Sequence, residues 1–304
     1  MSLAKYCVPE NLAWQGLVGK AYHYTKKTLS GDSEKTVFRY QIPFPADVEA
    51  VYLARYGLSD ADRLGFYQNL VRCIQREVDV TRFLKSHSVS SILSFSEVEQ
   101  LRDDNGIIHI FLETERIYPI LRQQLGGKEV SALTVIDILY RLSIIFRDIN
   151  RVGVVHRGFD LEEVYITSDN KILLGGFFYA SCPGVIPYTE YLPHLPPYLP
   201  KNLRSGGTGS QNSDIQSLSV LAWNLFSGGA YDLSLNTAYL VRPEYAPQEI
   251  IETILLGLRC KDEECNSFRR QLLNARKSLS KTEYADQMLP LSRQALCSFA
   301  TNSV

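Results

Sequence analysis

Three groups of residues in this sequence have types and spacings that could do chemistry. The first is the run His156-Arg157-Gly158-Phe159-Asp160-Leu161-Glu162-Glu163, in which a histidine and an arginine precede three acids. A His-Arg pair before a turn is ordinary sequence on its own, and the acids concentrate negative charge beside it. The second is the thiols: Cys7, Cys73, Cys182, Cys260, Cys265 and Cys297. They are scattered without zinc-finger spacing, and only Cys260 and Cys265 lie close, which reads as reduced thiols of a cytoplasmic protein. The third is the stretch from Cys182 to Pro200. Its Pro193-x-x-Pro196 and Pro197-x-x-Pro200 favour polyproline II and could dock an SH3- or WW-type groove. A proline-stiffened segment packed on the protein body is the plainer reading, and with 18 tyrosines in the chain, Tyr188, Tyr191 and Tyr198 read as packing residues. The charged run from Lys261 to Glu264 reads as a solvated connection rather than a metal site.

The elements that must position these residues change character along the chain. In the first half, YHYTKKTL and KTVFRYQI flank the turn signal SGDSE and predict a hairpin. EAVYLARY reads as a third strand. Leu70, Ile74, Val78 and Thr81 recur at helical spacing within LGFYQNLVRCIQREVDVTRFLKSH, which predicts an amphipathic helix. SILSFSEVEQ and GIIHIFLET read as two more strands. The second half is mainly helical. SALTVIDILYRLSIIFRDINRVG is apolar round much of its circumference, as a buried helix must be. VYITSDNKILLGGFF reads as a small hairpin. SDIQSLSVLAWNLFSGG reads as a central helix capped by Ser213 and ended by Gly228, with APQEIIETILLGLR and NSFRRQLLNARKSL as further helices.

The 304 residues are 45% hydrophobic and 21% charged, enough for one large domain or two lobes sharing a cleft. A net charge of -1 excludes the electrostatic footprint of a nucleic-acid binder. No apolar run reaches the length of a spanning helix, and the N-terminus lacks the layout of a secretory signal.

In order, HRGFDLEE leading into VYIT, then KILLGGFFYA, then LPPYLP, then SDIQSLSVLAWNLFSGG resemble the protein-kinase core. That family carries H-R-D-L-x-x-x-N, D-F-G and A-P-E in this order. The resemblance spans Trp14 to Leu279 and implies an α+β bilobal fold. It places a small β-rich lobe with one helix over residues 1–114 and a larger helical lobe over 115–304.

The same resemblance implies lost chemistry. Phosphoryl transfer rests on positioning and on cations that neutralise the phosphates. Gly158 stands where the catalytic aspartate would be, Asp160 at the position often held by a phosphate-contacting lysine, and Glu163 in place of a metal-binding asparagine. Gly176, Phe177 and Phe178 replace Asp-Phe-Gly, so the metal carboxylate is gone. Laying EAVY on V-A-I-K puts Tyr52 at the strand lysine and leaves Glu77 as its helix partner. His156, Arg157 and Asp214 resemble structural residues of the family: a spine histidine, an arginine that can meet a phosphorylated segment, and a buried aspartate that accepts amides of the loop. The expectation is a pseudokinase with no catalytic residues, cofactor or metal, which binds a protein partner such as an active kinase or another enzyme as scaffold or allosteric regulator; a divergent enzyme on the same fold with migrated catalytic residues, or a nucleotide-binding switch, is the alternative.

Overall fold

The structure, a computed structural model, describes residues 12–15, 19–120, 125, 130–185, 198–200, 203, 209–227, 247–259, 261, 265–286 and 288–289. Alternating aromatic and β-branched residues make strands β2 (Lys20–Thr28) and β3 (Gly31–Ile42). Their register runs from Lys20 opposite Arg39 to Thr28 opposite Gly31, so the reversal needs only Leu29 and Ser30. Gly31 takes it at φ 119°, and the rest of the polar stretch expected as a turn belongs to β3. With β1 (Leu12–Gln15), β4 (Glu97–Arg102) and β5 (Ile108–Glu115), an antiparallel sheet forms in the order β1-β2-β3-β5-β4. Of the stretch expected as the strand 91–100, the first part makes only a bridge from Ile92 to Leu174, and β4 begins at Glu97.

EAVYLARY is not a strand. It lies in helix α1 (Ala46–Tyr56), which starts after Pro45, carries Asp47 and Glu49 in its first turn, and ends on left-handed Gly57, whose N–H returns to the Leu53 carbonyl. Ala, Glu, Leu and Arg are good helix formers, and their sum outweighs a short alternation of Val and Tyr. The sheet is therefore accompanied by two helices, not one. The second, α2 (Arg63–Ser86), buries Phe66, Leu70, Cys73, Ile74, Val78 and Thr81 along one face.

A different core forms around helix α3 (Ala132–Arg151), whose first turn is capped by Ser131 accepting the Thr134 amide at 3.2 Å. Helices α4 (Gln211–Ser227), α5 (Gln248–Arg259) and α6 (Cys265–Leu279) pack with it. Ser213 sits inside the first turn of α4 rather than ahead of it, and its hydroxyl accepts the Ser210 amide at 3.1 Å. Gly228 lies outside the described residues.

The two cores meet at a short hairpin. With β6 (Ile117–Pro119) at the edge of β7 (Val164–Thr167) and β8 (Ile172–Leu174), a second sheet forms in the order β6-β7-β8. Successive strand residues point to opposite faces. Val164, Ile172 and Leu174 accordingly enter the helical core, while Tyr165 and Leu173 enter the core beneath the five-stranded sheet. The molecule is mixed α+β. No helix among the described residues is long and apolar enough to cross a membrane.

Candidate functional site

The hairpin, the loop before it and the segment after it bring most of the singled-out residues to one wall between the cores. Asp214, in the first turn of α4, is 1% exposed. Its Oδ1 accepts the Arg157 amide at 3.1 Å; its Oδ2 accepts the His156 amide at 3.0 Å and Asn150 Nδ2 at 3.2 Å. Burial pushes its carboxyl up to about 6, and these donors together with the Arg157 charge limit the rise. Arg157 has φ 63°, a left-handed conformation that costs about 1–2 kcal/mol for a residue with a side chain and is held here by the two bound amides.

His156 is fully buried, and burial lowers its pKa to about 4. The ring is therefore neutral at neutral pH, and Nε2 donates to the Gly175 carbonyl at 2.8 Å. Its Nδ1 is buried without a hydrogen bond. The ring lies 4.7 Å from that of Phe177, with Phe146 and Phe159 edge-on beyond it at 6.1 and 6.4 Å. These contacts are packing, not proton transfer.

Helix α2 grips the next segment by two side chains. Arg76 donates to the Ala180 carbonyl at 2.9 Å, and Glu77 Oε1 accepts the Gly176 amide at 3.1 Å. Glu77 is 2% exposed, and burial followed by the charge of Glu163 pushes its pKa up to about 8. Glu163, at the end of the turn Leu161–Glu163, is raised to about 7 by burial, although the Tyr165 hydroxyl donates to its Oε2 at 2.8 Å. Asp160 caps that turn, its Oδ1 accepting the Glu162 amide at 3.0 Å, and burial and the Glu162 charge raise its pKa.

Both glycines of the wall are covered by neighbours. A Cβ on Gly158 would stand 2.4 Å from Tyr179 Cδ2. A Cβ on Gly176, at φ 74°, would stand 2.7 Å from Cβ and Cγ of Glu163. No carboxylate fits at either position unless Tyr179 or Glu163 moves.

Tyr52 is not part of this wall. Its place on α1 puts its ring against Phe44 and Phe66, at 5.5 and 5.1 Å. The sheet residue that reaches Glu77 and Glu163 is Tyr40 on β3: it is fully enclosed, and their charges join burial in raising its pKa. Its ring lies along the backbone at Gly19, where a Cβ would come within 2.9 Å. Phe38, Tyr40 and Ile42 alternate onto the inner face of β3, the pattern from which Tyr40 could have been found in the sequence. Tyr165 and Tyr179, the other two rings of the wall, carried no such signal.

Among the described residues, no group of three or more metal-binding side chains occurs, and Cys73, Cys182 and Cys265 are buried free thiols. Lys26 is engaged away from this wall, with Glu97 at 2.7 Å and Glu113 at 3.0 Å. Pro193, Pro196, Pro197, Tyr188 and Tyr191 lie outside the described residues, whereas Tyr198 is buried against Phe159 at 5.7 Å. No family model matches the chain, and no curated protein is similar enough to match it.

Proposed function

We propose that this chain is a catalytically degenerate member of the protein-kinase-like fold that acts by binding a protein partner, without phosphoryl transfer and without a bound metal–nucleotide complex. The reading is supported by the order of the elements: a five-stranded antiparallel sheet with α2 beneath it, then a helical core joined to it by the His156–Tyr179 segment. The hydrogen bonds from Asp214 to the His156–Arg157 loop, and from Glu77 to Gly176, support it too.

One observation carries the loss of chemistry. The space in which a side chain at Gly176 would project is filled by Glu163, and that at Gly158 by Tyr179. The carboxyls nearby, Glu77 and Glu163, are held towards their neutral forms. A triphosphate brought there would meet acids and tyrosines, and any of these acids that ionised beside it would add a like-charge contact costing about 4 kcal/mol at 4 Å and an intermediate dielectric. The outer face of α2, with Leu64 at 68% exposure, is a candidate surface for the partner.

Thermal unfolding with and without ATP and magnesium tests the proposal. A ligand at about 100 times its Kd would stabilise the protein by about 2.7 kcal/mol, a shift of several degrees. The expected result is no shift and no transfer of radiolabel from ATP. A shift of that size, with label transfer lost in Glu163→Ala, would favour instead a divergent enzyme with relocated catalytic groups.

A further inference from the structure

Glu77 and Glu163 approach the same short segment from two elements. Glu77 projects from the middle of α2 and takes the Gly176 amide on Oε1, while its Oε2 is buried with no hydrogen-bond partner. Glu163 lies against Gly176 from the loop side, in the space a side chain there would need. The segment Gly176–Ala180 is thus held between a helix and a loop, and each presents an acid to it.

The groups facing this pair are acids as well. Tyr40 comes from β3 and Tyr165 from β7, the latter donating to Glu163. Tyr179 belongs to the segment itself, and Glu162 and Asp160 lie in the adjoining loop. Arg76, next to Glu77 on α2, is directed to the Ala180 carbonyl instead. The charge acting on Glu77 is that of Glu163, and the charge acting on Glu163 is that of Glu162.

We propose that Glu77 and Glu163 form a proton-operated clamp: α2 stays docked on Gly176–Ala180 while the pair retains a proton, and loss of that proton loosens the contact. A neutral Glu77 still accepts the Gly176 amide through its carbonyl oxygen, so the docking contact is kept in the protonated state. An ionised pair puts two like charges in a buried site where Glu77 is met by the Gly176 and Phe177 amides and Glu163 by the Tyr165 hydroxyl, donors too few to offset the loss of water. Burial and the neighbouring acids place the transition near neutrality, at about 7 for Glu163 and about 8 for Glu77. Opening frees both acids to titrate at ordinary values, so opening becomes easier as pH rises through this window.

Amide hydrogen exchange of the full chain tests the clamp with no nucleotide present, so its outcome is separate from that of the ATP experiment. After correction for intrinsic exchange, the protection of the Gly176 and Phe177 amides is expected to fall about tenfold from pH 6.5 to pH 7.5, the response to one linked proton. In Glu77→Gln with Glu163→Gln the fall is expected to vanish. Protection that stays level in the unmodified chain, or a double variant that keeps the slope, overturns the clamp. Should the double variant not fold, carbon-13 titration of the two side-chain carboxyls in the unmodified protein decides. Midpoints near neutrality support the clamp, and ordinary glutamate midpoints for both remove it.

Discussion

Asp214 and Glu77 are both nearly sealed from solvent, at 1% and 2% exposure, yet their surroundings treat charge in opposite ways. Asp214 gathers three N–H donors from His156, Arg157 and Asn150 and is raised only to about 6. Glu77 faces another acid, has one oxygen without a partner, and is raised to about 8. Burial is common to both; what differs is the number of donors and the sign of the neighbouring charge. At neutral pH, Asp214 is an ionised anchor that fixes a loop, whereas Glu77 is largely a neutral acid on a segment that can let go.

Four experiments would break or sharpen this contrast. Asp214→Ala should be the most damaging, since it strands two backbone amides and an asparagine in the interior. A loss of about 3–5 kcal/mol in urea unfolding is expected. A loss below about 1 kcal/mol would mean the anchor does not hold the loop. Next, Gly176→Ala combines a left-handed backbone with contact against Glu163, and should cost about 2–4 kcal/mol. Part of that cost should return when Glu163→Gly removes both the Cβ and the Cγ that fill the space; strictly additive effects in the double-mutant cycle would refute the contact.

The third experiment is a pH series. Unfolded, Glu77 and Glu163 titrate near 4.5; folded, they keep their protons to about 8 and about 7. The native state binds more protons across that interval, so stability falls as pH rises and levels off above about 8. Asp214 adds to the fall only up to about 6. His156 acts in reverse between about 4 and 6.5, where the native state holds fewer protons and stability rises with pH. Above pH 6.5 the decline therefore belongs to Glu77 and Glu163, with buried Asp160 acting in the same direction. Glu77→Gln should exceed the unmodified protein in stability at pH 8 by about 1–3 kcal/mol and lose most of that margin at pH 5. An equal margin at both values would assign the decline elsewhere. The smallest effect expected is from Tyr165→Phe. Removing the donor to Glu163 should raise the Glu163 midpoint further and cost about 1 kcal/mol; a lowered midpoint by carbon-13 titration would contradict the arrangement.

The helices that carry this contrast are legible in the sequence. Leu70, Ile74, Val78 and Thr81 mark the buried face of α2, and the apolar girth of α3 marks a helix enclosed by others. Short segments were the weak point. EAVYLARY satisfies a loose strand pattern and a good helix composition at once, and α1 is the outcome. As a helix it carries Tyr52 away from the wall, and the sheet residue facing Glu77 is Tyr40 on β3. Ser213 looked like a cap because it precedes an apolar run, but α4 begins two residues earlier, at Gln211.

The sequence by itself determined that positions 158 and 176 have no side chain, and that a strand-rich first part precedes a mainly helical second part. It could not determine what occupies the space above those glycines. Glu163, Tyr179 and Tyr40 come into place only through strand pairing and through contacts such as Glu77 with Gly176, which lie 99 residues apart. Proton affinity belongs to the same tertiary level. It depends on excluded water, available donors and neighbouring charge, and the folded chain alone brings these together around one carboxyl and withholds them from another.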